Sequence, residues 1–278
     1  MPRLFVLTAA LCLRASAGAD PPTLDDVVQH MYDFDFPSTY QILDRYITAH
    51  PQDPLPYAFR SSAYLFSELD RLGILESEFL IDDNRIVEKK NPPAPDAAVR
   101  THFLKALDDT RVRAEEALRA NPGDRDALFA LSIAQGVATD YMALVEKRQI
   151  SSLSSARRSN DYAQRLLKLD PKFYDAYLTA GLSEYMLGSL PFFIRWFIHF
   201  DNVSGNKERG KENLELVSRE GHYFRPFAKI LLGIISLREK KPKDAQKLLV
   251  DLSRQYPANP LFRKELAKLN GKLGVGAN

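Results

Sequence analysis

A chain of 278 residues with 45% hydrophobic side chains can bury a sizeable core, and 38 basic against 36 acidic residues leave a formal charge of only +2. That apolar content excludes a disordered chain, and the charge balance excludes the strongly basic footprint of a nucleic-acid binder. The single cysteine, Cys12, excludes an internal disulfide, so stability must come from packing.

In chain order, residues 1–19 read as a secretory signal peptide: Arg3 supplies the positive end, Leu4 to Leu13 the apolar run, and Ala15-Ser-Ala17 or Ala17-Gly-Ala19 the small residues for cleavage after Ala17 or Ala19. Ten apolar residues are too few to span a bilayer. The expectation is an exported protein, periplasmic or extracellular, with no transmembrane helix in the mature chain. From residue 20 onward Leu, Ala, Lys, Arg and Glu recur at three- and four-residue spacings between Pro and Gly stops, which is the helical period. The fold class expected is all-α. Charge is uneven along the chain: residues 20–189 hold 19 basic and 27 acidic side chains, residues 190–278 hold 17 and 9. Such asymmetry either steers an anionic partner or membrane to the C-terminal third or reflects solvated helix faces.

Four segments end in the same punctuation: Tyr46 to Pro51, Ala117 to Pro122, Leu166 to Pro171 and Leu252 to Pro257 each place a packing residue five positions before a proline. Proline ends one helix and suits the entry to the next. After the prolines a large residue is followed four positions later by a small one, at Tyr57 and Ser61, Leu128 and Ser132, and Tyr177 and Gly181, whereas Lys229 and Gly233 keep only the small half. At helical spacing the small residue admits a neighbouring helix and the large one fills the gap.

These marks resemble the tetratricopeptide repeat, a helix–turn–helix of 34 residues, in an exported, periplasmic bacterial setting. The resemblance implies one right-handed α-solenoid over residues 20–278, built of about five antiparallel helix pairs. They span roughly 20–53, 54–124, 125–173, 174–225 and 226–259, with a capping helix at 260–272. Three repeats exceed the family length, and the family pattern puts each excess between helices A and B, on one edge of the stack. The first insertion, 73–110, breaks at Asn91-Pro-Pro-Ala-Pro95; the second, 139–153, reads as prolonged helix with a cap at Ser151-Ser-Leu-Ser154; the third, 189–205, carries five aromatics between Phe192 and Phe200. On a helix Phe192, Trp196 and Phe200 share one line, flanked by Phe193 and Phe197. That face either plugs the solenoid or meets a partner or membrane interface.

The sequence holds no recognisable catalytic or metal-binding spacing. The five histidines are scattered, Gly205 to Gly210 lacks the Lys-Ser/Thr of a phosphate loop, and adjacent acids such as Asp25-Asp26 diverge by about 100° on a helix. The expectation is a non-catalytic scaffold without cofactor or metal, binding a protein or peptide in an envelope or secreted assembly. The alternative is a membrane-peripheral assembly factor docking through 190–200 and the basic C-terminal third. The resemblance implies an inner partner-binding face at Phe129 and Ile133, then Asp175, Leu178, Leu182 and Tyr185, then Phe227, Ile230 and Ile234. The aromatic residues Phe192, Phe193, Trp196 and Phe197 are the second candidate surface.

Overall fold

The computed structural model describes residues 21–76, 81, 93–189 and 204–274. Among these there is no strand, and eleven α-helices follow one another: α1 Leu24–Tyr32, α2 Phe36–Ala49, α3 Leu55–Arg71, α4 Ala97–Ala120, α5 Arg125–Asp140, α6 Gln149–Leu169, α7 Tyr177–Ser189, α8 Lys207–Glu220, α9 Arg225–Arg238, α10 Pro242–Gln255 and α11 Pro260–Leu273. Each helix packs on its neighbours in sequence, and α1 with α3 and α3 with α5 also touch. The signal peptide expected at 1–19 and the aromatic positions Phe192, Phe193, Trp196 and Phe197 lie outside the described residues.

The four proline-marked turns share one hydrogen-bond pattern. His50, Asn121, Asp170 and Tyr256 each donate a backbone N–H at 2.8 Å to the residue four before it, Tyr46, Ala117, Leu166 and Leu252, the packing residues picked out by the proline spacing. A second bond then closes each turn, from Asp53 to His50, Asp124 to Asn121, Phe173 to Asp170 and Asn259 to Tyr256. The large–small pairs occupy the interior: Ser61 and Leu128 are fully buried, and Ser132 and Ser159 donate to each other's carbonyls at 3.0 and 2.7 Å, drawing α5 onto α6.

At the other end of the stack, each junction from an odd-numbered to the following even-numbered helix, α1 through α10, contains one left-handed residue among the described residues. These are Phe34, Gly73, Lys147, Gly205 and Lys240, with φ of 63°, 64°, 59°, 70° and 60°. All three long insertions leave from this edge. Two buried glutamates pin their returning ends. Glu68, at the end of α3, accepts a bidentate pair from Arg71 at 2.8 and 2.7 Å and the Asp96 N–H at 2.9 Å, immediately before α4. Glu184 on α7 accepts the N–H groups of Ser204 at 3.2 Å and Asn206 at 2.8 Å and pairs with Arg209. Burial works against its ionisation, but these donors prevail and hold the carboxyl below its ordinary value.

The second insertion differs from expectation. Tyr141–Val145 forms a π-helical turn, and α6 begins at Gln149 without a side-chain cap, so Ser151 to Ser154 lie inside the helix rather than capping it. Ser152 and Ser155 are buried, because small side chains let α6 approach its neighbours. The widened turn buries Tyr141, whose ring stacks on Phe103 at 4.4 Å. Just before it, burial pushes the Asp140 carboxyl up to about 7. With the folded value above the unfolded one, the associated stability is complete below about pH 4 and lost as pH rises to 7. Asp140→Asn should therefore match the wild type in urea titrations near pH 4 and exceed it by up to about 4 kcal/mol at pH 8. Parallel stability curves for the two proteins would refute this.

Residues Arg125–Val145 are long and apolar enough to cross a membrane, with an 18-residue window of mean hydropathy 1.4. In the fold this stretch lies in the middle of the stack, with Ala127 through Ala134 buried against α3, α4 and α6.

The chain also closes on itself. Leu24, Val27, Val28, Met31 and Tyr32 put the whole apolar face of α1 into one core with Phe59, Phe129, Leu252 and Phe262. Tyr32 lies 5.4 Å from Tyr256, ring to ring, and Asn259 Nδ2 donates to the Tyr32 carbonyl at 2.6 Å. His222 Nε2 lies 2.7 Å from Asp25, and Glu76 accepts from Lys264 at 2.6 Å and Lys268 at 3.1 Å. Part of the acidic-front, basic-back asymmetry is thus internal pairing.

Candidate functional site

Most of the expected inner face is interior. Phe129 is 1% exposed, edge-on to Phe173 at 4.8 Å and alongside Phe224 at 5.5 Å. Ile133 is buried in the same core, and Leu178 and Tyr185 are buried with Leu214 and Val217 of α8. The reason is tertiary: α1 and the turn 221–224 cover the curve that a family member would leave open. Leu182 and Phe227 are half-buried, Phe227 edge-on to Phe66 at 5.7 Å.

Asp175, a candidate contact for a partner, is a turn-builder. Its carboxylate accepts the backbone N–H groups of His222, Tyr223 and Phe224 at 3.1, 3.2 and 2.9 Å. The turn from α8 to α9 is the one that lacks the proline punctuation, and this side chain supplies the acceptor its exposed donors need. Burial pushes the Asp175 carboxyl up, and the three N–H groups pull against that rise.

One part of the inner face stays open. Ile230, Ile234 and Leu237 lie along one side of α9, Leu248 and Leu249 on α10, and Leu261 at the start of α11, all half-buried. With Leu75 at the far wall they line an apolar cleft of about 60 Å³. Gly233 sits in its wall, and a Cβ built there would meet no atom within 4 Å. Lys229 stands where the other pairs have Tyr57, Leu128 or Tyr177, and it turns to Asp251 instead of filling the gap. The cleft is the space that the missing large residue leaves. Its lining is charged on both signs, by Lys229 and by Glu265, which pairs with Lys268 at 3.1 Å. Such a site can seat one or two aliphatic side chains, each worth about 1.5–3 kcal/mol on full burial, with polar anchors at its mouth.

Of the residues expected at the site, the cleft therefore gathers Ile230 and Ile234. Sequence reasoning missed Leu75, which arrives from the end of the α3 segment, and the contribution of α10 and α11, read only as a packing helix and a cap. The incomplete pair Lys229 and Gly233 was the signal that could have found it. Among the described residues no group of three or more His, Cys, Asp or Glu side chains is placed to hold a metal ion.

Set against known proteins, the chain gives no match: no family model fits it, and no curated protein or solved structure is significantly similar.

Proposed function

We propose that the protein is a non-catalytic scaffold of tetratricopeptide-like helix pairs, exported to an envelope or secreted assembly, that binds an aliphatic-rich segment of a partner protein or peptide in the cleft between α9, α10 and α11. The observation that carries this reading is the row of half-buried aliphatic side chains beside Gly233, apolar surface that the fold itself leaves uncovered. The shared turn geometry and neighbour-to-neighbour packing support the repeat reading.

The test is a variant that fills the cleft without harming the fold. Gly233→Leu replaces a poor helix former and adds apolar contact, so thermal stability should hold or rise by about 1 kcal/mol. Affinity capture from the native envelope fraction should recover a specific partner with the wild type and lose it with Gly233→Leu. Recovery of the same partner by both proteins would sink the cleft reading. A Trp196→Ala, Phe197→Ala double variant run in parallel asks whether the aromatic insertion contributes to that same capture.

A further inference from the structure

The edge from which the insertions leave has an electrostatic character of its own. Glu146 is shared by Arg100 at 3.0 Å and Arg148 at 3.2 Å, and Glu239 by Lys211 at 2.9 Å and Lys241 at 2.8 Å. Each of these carboxylates is thus outnumbered by cations, and each keeps a positive remainder. Lys207, Lys240 and Lys243 add exposed ammonium groups at the same end, against exposed Glu208 and Asp244. Lys240 has φ of 60°, a backbone state in which glycine carries no steric penalty and lysine does. A lysine held there at a conformational cost points to a use for its side chain.

Apolar points stand between these cations. Ile150, two residues after Arg148, is 87% exposed, and Met186 in the last turn of α7 is 52% exposed. The opposite end of the stack is mixed in sign: its turns carry Asp53, Asp124 and Asp170, the last paired with Arg125 at 2.6 Å, beside exposed Lys172 and Arg225.

We propose that the described residues of this edge, at the α5–α6 junction, the last turn of α7, the first turns of α8 and the α9–α10 junction, dock the protein on an anionic phospholipid surface, cations toward the headgroups and Ile150 and Met186 toward the acyl boundary. Clustered Lys and Arg are attracted to an anionic leaflet within about a Debye length, and interspersed apolar side chains add a term that salt does not screen. This docking is independent of whether the cleft takes a peptide.

Flotation of the purified protein with vesicles tests it. The wild type should bind phosphatidylserine–phosphatidylcholine vesicles at 0.1 M salt, lose most of that binding at 0.5 M, and ignore pure phosphatidylcholine. Lys240→Glu with Lys243→Glu should weaken binding at least tenfold, and Ile150→Asp about fivefold. A matched reversal at the other end, Arg119→Glu with Lys172→Glu, should leave it unchanged. All these positions are solvent-exposed, so circular dichroism should show the same fold throughout. Lys240→Gly adds a sharper arm, since it should bind less while unfolding no more readily. Absence of binding to anionic vesicles, equal loss at both ends, or indifference to the edge substitutions would each overturn the proposal.

Discussion

Replacing Asp175 with alanine is expected to destabilise the protein by about 3–5 kcal/mol. Three backbone N–H groups, on His222, Tyr223 and Phe224, lose their acceptor in a largely enclosed setting, and hydrogen bonds to a charged group are worth about 1.5–3 kcal/mol each before compensation by water. Water reaching the collapsed turn recovers part of that sum. Asp175→Asn keeps one carbonyl oxygen and should cost roughly half as much. Urea titration at neutral pH reads both. The outcome separates two roles for one residue, because a side chain that only contacts a partner would change affinity and leave the unfolding midpoint where it was.

Gly210→Ala is expected to cost about 2–4 kcal/mol, although alanine is the better helix former by about 1 kcal/mol. A Cβ at Gly210 would lie 2.6 Å from the Tyr185 nitrogen and 2.8 Å from the Gly181 carbonyl oxygen. Both are backbone atoms, so no rotamer change relieves the clash, and α7 and α8 must part. Gly188 makes the same approach to Gly205, where a Cβ would come within 2.6 Å of the carbonyl oxygen. The seam holds together the two ends of the third insertion. Hydrogen exchange should therefore report the loss mainly in α7 and α8, and a uniform change across the chain would contradict the seam as its source. The comparison with Gly233→Leu is direct: one glycine abuts backbone, the other faces open space.

What could be read from the residues alone was local. A proline preceded at five positions by a packing residue fixes where a chain must turn, and every such turn in the structure uses that residue's carbonyl as its acceptor. The pairing of Tyr57 with Ser61 and of Leu128 with Ser132 likewise reports contact between adjacent helices. Asp175, Phe129 and Ile133 were illegible for a different reason. The resemblance to a repeat family assigns them to an inner surface, and nothing in the local pattern says whether a distant segment will cover it. Coverage here comes from α1 and from Tyr223 and Phe224, whose contacts with Phe59 and Phe129 link separate parts of the chain. The serine run 151–154 failed through ambiguity of residue type, since a small hydroxyl side chain serves a helix cap or a close helix contact equally well.

The bond from Asn259 to the Tyr32 carbonyl joins positions 227 residues apart. An open array of repeats behaves as a line, in which each unit feels only its neighbours, the ends fray first, and a terminal unit can be removed with a proportionate loss. A clasped array behaves as a ring. Neither end is then terminal in the energetic sense: deleting α11 exposes the apolar face of α1, and deleting α1 uncovers Tyr256 and Phe262. Unfolding should therefore follow one sharp transition where an unclasped stack of the same length would melt in stages.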